Sequence, residues 1–364
     1  MFENIYKGKK VLVTGHTGFK GSWLSMWLLQ LGADVAGFSL EVFEGPSNFS
    51  VLGLDKHLKH YLGDVRDYKA LKEVFDEFKP EMVFHLAAQS LVRRSYADPL
   101  YTFQTNALGT LNILECIRHS SSVQAVVMIT SDKAYRNVEW SWGYRENDTL
   151  GGEDPYSASK GCAELIAYSY MHSYFNKTEG PRVATVRAGN VIGGGDWAKD
   201  RIVPDCIRAW SQNQELIIRY PNATRPWQHV LEPLSGYLCL GAELWKKNSR
   251  CLSESYNFGP DALVNQPVKA LIAEMQKHWP ASHYKIDQEG ILNQPEAGLL
   301  KLCCDKALSD LKWHAVLNFE QTVGMTSEWY HHFYNKDDKS IFEFAIKQIA
   351  DYVEKAKERA LPWI

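Results

Sequence analysis

The sequence predicts an α/β fold: a doubly wound parallel sheet with a smaller lobe interleaved towards the C-terminus. Short apolar segments rich in branched residues alternate with segments of helical periodicity over about the first 190 residues. This alternation is typical of a parallel sheet covered by helices on both faces. Beyond that point the alternation ends, and loops rich in Gly, Pro and Trp appear. A chain of 364 residues has room for two domains of roughly 150 residues or more.

The individual elements follow from the hydrophobic period and from Gly and Pro stop signals. Strands are predicted at 9–14, 34–39, 58–62, 82–87, 123–129 and 182–187. Helices are predicted at 19–31, 67–78, 99–118, 156–175, 201–212 and 229–247. No linker stands near residue 190, where the strand–helix alternation ends. We therefore expect the chain to cross between the two lobes. The predicted sheet domain is 1–188 with a return segment at about 228–258, and the smaller lobe is 189–227 and 259–364.

Composition excludes several classes of protein. The formal net charge is −3, so no global basic field attracts nucleic acid or an anionic membrane. No apolar run approaches the roughly 18 residues of a membrane span, and the N-terminus lacks the pattern of a secretory signal. Seven scattered cysteines predict free thiols in a reducing compartment, which favours a cytoplasmic protein. The adjacent pairs Cys303–Cys304 and His331–His332 lack metal-ligand spacing, so no metal site is predicted.

Aromatic residues are numerous, with 12 Trp, 18 Tyr and 15 Phe. Trp23 and Trp27 stand at helical spacing and are predicted to be core residues. Four other tryptophans fall in loops near predicted strand ends, where aromatic side chains can wall a cleft: Trp140, Trp142, Trp197 and Trp227.

A glycine-rich turn, GHTGFKG, joins the first strand to the first helix and contains Gly15, Gly18 and Gly21. In such a turn one Gly permits the tight bend, another lets a pyrophosphate approach the backbone, and the third lets the helix pack on the sheet. The helix N-terminus then faces the phosphates. The strand–turn–helix context therefore predicts a dinucleotide site.

The end of the second strand departs from the usual dinucleotide pattern. An acidic residue normally binds the adenosine ribose there, but this strand ends at Ser39. Ser39 cannot bind both ribose hydroxyls as a carboxylate does, and it does not repel the 2′-phosphate of NADP. The positively charged Lys20 is close in the turn. The sequence therefore favours NAD as the cofactor but leaves NADP open.

Tyr156 and Lys160 in PYSASK share one face of a predicted helix. A lysine there is expected to lower the pKa of the tyrosine, so that the phenol can act as a base. Spacing alone is weak evidence, because Tyr6/Lys10 and Tyr68/Lys72 have the same spacing. Of the three pairs, only Tyr156/Lys160 follows a strand that ends in hydroxyl residues, Thr130 and Ser131. Ligands lie beyond the carboxyl ends of parallel strands, so Ser131, Asp132 and Lys133 are predicted to face the cleft.

Together these motifs resemble the extended short-chain dehydrogenase/reductase family, and within it the sugar-nucleotide epimerases and dehydratases. The resemblance rests on GHTGFKGSWL, HLAAQSLVRRSY, TSDKAYRN, PYSASK, RAGNVIGGGDW and RPWQHVLEP, and it covers most of residues 1–260. It implies a Rossmann-type dinucleotide-binding domain, a substrate-binding lobe, NAD as cofactor and a nucleotide sugar as substrate. The cofactor residues that it implies are Gly15, Thr17, Gly18, Phe19, Gly21, Ser39, Asp64, Val65, Leu86, Ala87, Ala88, Gln89, Asn106, Thr130, Tyr156 and Lys160.

The resemblance also implies catalytic roles. By resemblance to the dehydratases, Ser131 would hydrogen-bond the sugar 4-hydroxyl, Asp132 would protonate the departing 6-hydroxyl, and Tyr156 would take the 4-hydroxyl proton. The residue after the Asp is usually Glu in the dehydratases, but in this chain it is Lys133. A neutral Lys133 could take the carbon-5 proton, whereas a charged one could stabilise an enolate, and both roles stay open. The substrate residues implied are Ser90, Ser131, Asn190, Arg201 and Arg225, the two arginines being suited to a diphosphate.

Three alternatives stay open at this point. A 4-epimerase needs no acid–base pair after the hydroxyl residue, so Asp132 and Lys133 favour a 4,6-dehydratase. The nucleotide base is open, and a catalytically inactive cofactor-binding scaffold is disfavoured because Ser131, Tyr156 and Lys160 are all present. The resemblance further implies a homodimer or homotetramer formed through helices 99–118 and 156–175.

Overall fold

The structure is a computed structural model of the chain. It describes residues 1–41, 45–175, 180–218, 220–247, 249, 251–261, 264–279, 282–287, 299–335 and 340–364. No helix within these ranges is both long and apolar enough to cross a membrane.

The first half of the chain alternates strands with helices, as predicted. Its strands are β1 (Lys10–Thr14), β2 (Asp34–Ser39), β3 (Lys59–Leu62), β4 (Met82–His85), β5 (Ala125–Ile129) and β6 (Arg182–Arg187). Its helices are α1 (Phe19–Gln30), α2 (Asn48–Val51), α3 (Tyr68–Phe78), α4 (Val92–Ala97), α5 (Pro99–Phe103), α6 (Gly109–Arg118) and α7 (Pro155–Tyr170). A π-helical segment, Gln104–Leu108, joins α5 to α6, and another, Met171–Phe175, extends α7.

The second half has short strands and longer helices. Its strands are β7 (Val191–Ile192), β8 (Leu216–Ile218), β9 (Thr224–Arg225), β10 (Gln228–His229), β11 (Ser255–Asn257), β12 (Gln266–Pro267) and β13 (Tyr284–Ile286). Its helices are α8 (Ile202–Trp210), α9 (Leu231–Trp245), α10 (Val268–Gln276), α11 (Asp305–Leu311), α12 (Phe319–Tyr334) and α13 (Ile341–Glu358).

Seven strands form one sheet in the order β11-β6-β5-β4-β1-β2-β3, and every pair in it is parallel. The order reverses at β1, which lies between β2 and β4. In sheets of this kind ligands bind in the crevice at such a switch point, outside the carboxyl ends of the strands. The predicted doubly wound fold is confirmed.

Both faces of the sheet are covered by apolar side chains, which explains why its strands read as continuous hydrophobic runs. Residues of α1 and α9 cover one face, and residues of α3, α6 and α7 cover the other. Trp23 and Trp27 of α1 are fully buried in the core, as predicted.

Two later elements join the sheet. Helix α9 packs on β5 and β6, and β11 extends the sheet beside β6. Helix α13 packs on α1, where Tyr352 contacts Trp27 edge-on. The division of the chain into two lobes stays a prediction.

A buried ion pair joins α7 to the sheet. Arg187 of β6 donates from Nε and Nη2 to the two carboxylate oxygens of Glu164, at 2.8 and 2.9 Å. Thr185 of β6 and Thr130, which directly follows β5, donate to the same carboxylate. Burial opposes the charge of Glu164, but Arg187 and the hydroxyl donors outweigh it and lower the pKa of the carboxyl. The pair therefore ties the helix that carries Tyr156 to β6, and Thr130 ties it to the segment that leads from β5 to Ser131.

Replacing Glu164 by Gln leaves Arg187 buried beside a neutral group. Removing one partner of a buried pair costs about 3 kcal/mol or more, so urea unfolding at pH 7 should show a loss of that size. The pKa of Glu164 is lower in the folded state than its value near 4.5 in the unfolded chain. The carboxylate therefore stabilises the fold fully above that pH, and this stabilisation is lost as the pH falls below it. The wild type should therefore lose more stability than Glu164→Gln between pH 6 and pH 3.

The exposed i,i+4 pair Lys72–Asp76 supplies the control, because Asp76→Asn should change the free energy of unfolding by less than about 1 kcal/mol. Equal stability of Glu164→Gln and wild type would show that the ion pair does not hold α7.

Candidate functional site

The carboxyl ends of the sheet strands open into one cavity of about 1000 Å³. It is lined by the glycine turn, by the residues that follow β2, β4 and β5, and by the loop between β7 and α8. Every residue that the sequence predicted for the site lines this cavity except Gln89 and Asn106. The fold therefore gathers residues that are up to about 200 positions apart in the chain.

The glycine turn is shaped by close backbone contacts. Gly15 has a φ of +74°, and a Cβ there would lie 2.7 Å from the backbone nitrogen of Ala87. A Cβ on Gly21 would lie 2.2 Å from the carbonyl oxygen of Gly15. Only glycine lets α1 start this close to β1 and to the loop after β4.

The N-terminus of α1 fits the diphosphate of a dinucleotide. Gly18 is its N-cap residue and makes no side-chain cap, and Gly18, Phe19 and Gly21 line the cavity. The first N–H groups of a helix are left without intrahelical partners and attract negative charge. An uncapped helix start that faces a large cavity is the arrangement that binds dinucleotide phosphates.

One end of the cavity contains the residues predicted for the adenosine half. The hydroxyls of Thr17 and Ser39 are hydrogen-bonded at 2.7 Å, and Val65 lines the wall nearby. Asp64 accepts three hydrogen bonds from Arg66. Burial opposes the charge of Asp64, but the Arg66 bonds outweigh it and lower the pKa of the carboxyl.

Lys20 does not lie at that end. Its charge interacts with Asp132, Asp196, Arg201 and Lys160, which places it at the catalytic end. These interactions set Lys20 apart from Ser39, the position at which a 2′-phosphate would lie. Near Ser39 the cavity is instead lined by Glu41, whose charge disfavours a 2′-phosphate.

The loop after β4 lines the cavity with Leu86, Ala87 and Ala88. Hydrogen bonds from Asn106 to the backbone of Gln89 hold this loop. The backbone N–H of Gln89 donates to Asn106 Oδ1 at 2.8 Å, and Asn106 Nδ2 donates to the carbonyl of Gln89 and to Ser159 Oγ. The Gln89 amide is engaged with Leu91 and Thr102. Neither side chain reaches the cavity, so a direct contact of Gln89 or Asn106 with a cofactor is not supported.

Ser131, Asp132 and Tyr156 lie together in the wall of the cavity. The Ser131 hydroxyl donates to Asp132 Oδ1 at 3.0 Å, and Ser131 also favours ionisation of the Tyr156 phenol. Tyr156 stands in the first turn of α7, where Asp154 caps the helix and the backbone N–H of Tyr156 donates to Ser95 Oγ at 3.1 Å. Lys133, Thr130 and Lys160 line the cavity beside this group.

The pKa of Tyr156 moves opposite to the direction expected from the sequence. Burial raises the pKa of Tyr156 to about 12; Asp132 and Asp154 add to the rise, while Ser131 and Arg201 oppose it. Burial, together with the charge of Lys20, lowers the pKa of Lys160 to about 8. The expectation failed because it counted Lys160 and left out burial and the two carboxylates.

Gly189, after β6, makes room for the Asp132 carboxylate. A Cβ at this position would lie 1.8 Å from Asp132 Oδ2. The next residue, Asn190, has a φ of +52° and lines the cavity.

The substrate-side arginines lie at different places in the cavity wall. Arg201 Nη1 is 2.8 Å from Asp196 Oδ2, its Nη2 donates to Ser90 Oγ at 3.2 Å, and its charge acts on Tyr156. Arg201 therefore lies at the catalytic end. Arg225 lines the wall on β9, beside Trp227, whose indole donates to the carbonyl of Gln266.

Of the four loop tryptophans, Trp197 and Trp227 line the cavity as predicted. Trp140 and Trp142 do not: they pack against one another at 5.1 Å, and Trp140 packs on Tyr144 at 5.0 Å. Trp140 belongs to a separate small cluster with Tyr135 and Tyr144, and Trp142 is largely exposed, so only Trp197 and Trp227 of the four wall the cavity.

A parallel sheet with this strand order, a glycine turn and a Ser–Tyr–Lys group in one cavity defines the short-chain dehydrogenase/reductase class of site. The family model described as GDP-mannose 4,6 dehydratase matches residues 12–326. The chain belongs to this family of nucleotide-sugar dehydratases, in the extended branch of that class.

Curated relatives and solved structures agree with the family. The CDP-glucose 4,6-dehydratase of Salmonella typhimurium (strain LT2) is 46% identical over 357 residues, which span 96% of this chain and 98% of that protein. The structure of dTDP-glucose 4,6-dehydratase from Bacillus anthracis in complex with NAD is similar at a TM-score of 0.74 and 20% identity, over 91% of this chain and 99% of that one. The UDP-glucose 4-epimerase of Thermotoga maritima is similar at a TM-score of 0.75 and 22% identity, over 89% and 99%. These two structures show the fold alone.

Sequence reasoning missed several residues of the site. Ser95, Gly189 and Asp196 stand within HLAAQSLVRRSY and RAGNVIGGGDW, but the sequence analysis gave them no role. They lie against the predicted residues Tyr156, Asp132 and Arg201, respectively. Asp196 follows three glycines in a loop at a strand end, which is a local signal that could have identified it.

Replacing Gly189 by Ala tests the placement of Asp132. The new methyl group would displace the carboxylate, so turnover should fall about 100-fold, the loss typical of a misplaced general acid. The control is Gly324→Ala in α12, where a Cβ would meet nothing closer than 3.7 Å and turnover should be retained. Steady-state kinetics measure the turnover of both variants. Full activity of Gly189→Ala would contradict a catalytic role for Asp132 in this position.

Proposed function

We propose that the chain is an NAD-dependent CDP-glucose 4,6-dehydratase that forms CDP-4-keto-6-deoxyglucose for deoxysugar and surface-polysaccharide (lipopolysaccharide O-antigen) biosynthesis. The observation that carries the proposal is the group Ser131–Asp132–Lys133 beside Tyr156 in the cavity that the glycine turn opens. The near full-length likeness to the Salmonella enzyme supports the choice of CDP-glucose.

Bound NAD would supply the hydride chemistry, taking a hydride from sugar carbon 4 and returning one at carbon 6. The glycine turn at Gly15–Gly21, with Ser39 and Asp64, would hold it, and Tyr156 and Lys160 would face its reactive end. Glu41 near Ser39 supports NAD rather than NADP.

Tyr156 would take the proton of the 4-hydroxyl while Ser131 holds the same oxygen. Since burial raises the pKa of Tyr156, positive charge must favour its ionisation when it acts. The cations at this end of the cavity are Lys160, Arg201 and Lys20. The site thus combines a buried phenol with several fixed positive charges.

Asp132 would deliver a proton to the 6-hydroxyl, which leaves as water. The Ser131 hydroxyl, which donates to Asp132 and lies beside Tyr156, would pass the proton taken from the 4-hydroxyl to the Asp132 carboxylate. Lys133 would take the carbon-5 proton, exchange its ammonium hydrogens with solvent, and deliver one of them to carbon 5 when carbon 6 is reduced. Protons then balance: the 4-hydroxyl proton ends in water, carbon 5 loses one proton and regains one of solvent origin, and each side chain recovers its starting state.

The nucleotide would lie along the wall formed by Asn190, Arg225 and Trp227. Arg225 would bind a diphosphate oxygen, and Trp227 offers an aromatic face near it. Ser90 and Arg201, hydrogen-bonded to one another, would contact the hexose end.

The protein would act as a homodimer or homotetramer in the cytoplasm. Apolar side chains that are half exposed or more lie on the two helices expected to pair: Leu100, Leu108, Leu165 and Tyr168. Exposed apolar surface of this kind marks interaction sites. A monomeric mass in light scattering would contradict the assembly. The seven cysteines are free thiols, which supports a reducing compartment.

Incubation with CDP-, dTDP-, UDP- and GDP-glucose tests the reaction and the base together. CDP-glucose should give a 4-keto-6-deoxy product, and in deuterium oxide that product should carry the label at carbon 5. Tyr156→Phe should abolish turnover and keep CDP-glucose binding, because only the proton acceptor is removed. An unlabelled product would indicate the 4-epimerase, and near-wild-type turnover of Tyr156→Phe would contradict the assigned base.

A further inference from the structure

The turn that follows β6 packs directly against the carboxylate of Asp132. A Cβ on Gly189 would lie 1.8 Å from Asp132 Oδ2, so the backbone of Gly189 is itself in contact with this oxygen. The other oxygen, Oδ1, accepts a hydrogen bond from Ser131 at 3.0 Å. Ser131 therefore holds one side of the carboxylate, and the position of Gly189 limits where the other side can lie.

Both carbonyl groups of this turn are bound by one residue, Gln228 of β10. Its side-chain Nε2 donates to the carbonyl of Gly189 at 2.8 Å, and its backbone N–H donates to the carbonyl of Asn190 at 3.2 Å. The same Nε2 donates to the carbonyl of Phe258, directly after β11, at 3.2 Å. Carbonyl oxygens only accept hydrogen bonds, so the nitrogen of the amide must face them. Gln228 thus fastens the turn to two neighbouring segments.

The backbone of the turn needs support of this kind. Asn190 has a φ of +52°, in the left-handed region that residues other than glycine seldom adopt. A backbone conformation of this kind persists where the surrounding contacts hold it. Gln228 is 1% exposed, so water does not compete for the hydrogen bonds of its amide. An apolar side chain of the same length would fill the space, but it would leave both carbonyls without this donor.

We propose that Gln228 is a positioning residue of the catalytic site, whose amide fixes the carbonyl of Gly189 and thereby holds the Asp132 carboxylate where the 6-hydroxyl of the sugar leaves. This role rests on the proposed dehydratase function, in which Asp132 delivers the proton to that hydroxyl. It explains the Gln of the segment RPWQHVLEP, which lies outside the Ser–Tyr–Lys group.

The position of Asp132 matters most for one step of the proposed cycle. Oxidation at carbon 4 needs Tyr156 and Ser131, whereas the loss of water from carbon 6 needs the proton of Asp132. A misplacement of about 1 Å can slow a catalysed step by about 100-fold. Removing the Gln228 amide should therefore slow the loss of water and leave the oxidation nearly unchanged. A 4-keto sugar that still carries its 6-hydroxyl should then accumulate.

The test follows a single turnover of CDP-glucose by the holoenzyme in wild type, Gln228→Met and Gln348→Met. Gln348 of α13 is the matched control, because its buried amide also donates to a backbone carbonyl, that of Met325 at 2.7 Å, and it does not line the cavity. In Gln228→Met the loss of water should be roughly tenfold slower. Reduced nicotinamide should accumulate by absorbance, and rapid quench with mass spectrometry should identify the 4-keto sugar with its 6-hydroxyl. Gln348→Met should match the wild type in both readouts.

Two kinetic results would overturn the inference. One is wild-type kinetics of Gln228→Met. The other is an equal slowing of oxidation and of water loss, which would indicate a structural role only. Gln228→Asn, which keeps an amide but draws it back by one methylene, should show the same accumulation and serves if the Met variant does not fold.

Crystal structures of the variants give a readout that does not depend on turnover. The carbonyl of Gly189 and the carboxylate of Asp132 should both be displaced in Gln228→Met and keep their places in Gln348→Met. An unmoved Asp132 in Gln228→Met would overturn the inference. If the wild type converts no nucleotide-glucose, the proposed function fails, and these structures still decide whether Gln228 positions Asp132.

Discussion

The buried Glu164–Arg187 pair is the interaction on which the catalytic geometry depends. It joins three elements at their functional ends: β5, which leads into Ser131; β6, which leads into Gly189 and Asn190; and α7, which carries Tyr156 and Lys160. Arg187 also donates to the Tyr135 hydroxyl and lies over its ring, so the turn after Asp132 is held from the same point. A buried pair contributes little net stability compared with apolar packing, but leaving either partner alone is costly. The geometry of the site is therefore coupled to the fold.

The site itself is a compact arrangement of opposite charges. A buried phenol and a buried carboxylate stand beside one serine hydroxyl, and cations from α1, α7 and the loop before α8 line the same cavity. Burial makes each ionised group costly in isolation, and the neighbours of opposite sign offset that cost. This explains why residues distant in sequence must meet here. It also explains why glycine occupies position 189, where any side chain would displace Asp132.

The strand–helix order and the switch-point crevice were predictable from the sequence, because hydrophobic period and glycine spacing are local signals, and the family resemblance supplied most of the predicted site residues. Contacts that depend on side-chain direction were not. Lys20 stands next to the predicted cofactor residues but points to the catalytic end, and Trp140 stands near a strand end but packs on Tyr144. The direction of the Tyr156 shift was missed because burial is a property of the whole fold. Gln89 and Asn106 stand next to cavity residues in sequence, but their amides bond the loop from behind.

In the proposed cycle carbon 4 is oxidised and carbon 6 is reduced in the same sugar molecule, within the cavity that Tyr156 and Asp132 share, and bound NAD would supply the hydride chemistry. The most direct measurement uses CDP-glucose deuterated at carbon 4, mixed with an equal amount of non-deuterated CDP-glucose that carries two carbon-13 atoms, and reads the products by mass spectrometry and NMR. Deuterium should appear at carbon 6 of the product only in the molecules that carried it at carbon 4. Deuterium retained at carbon 4, lost to solvent, or found in the carbon-13 product would contradict this intramolecular transfer.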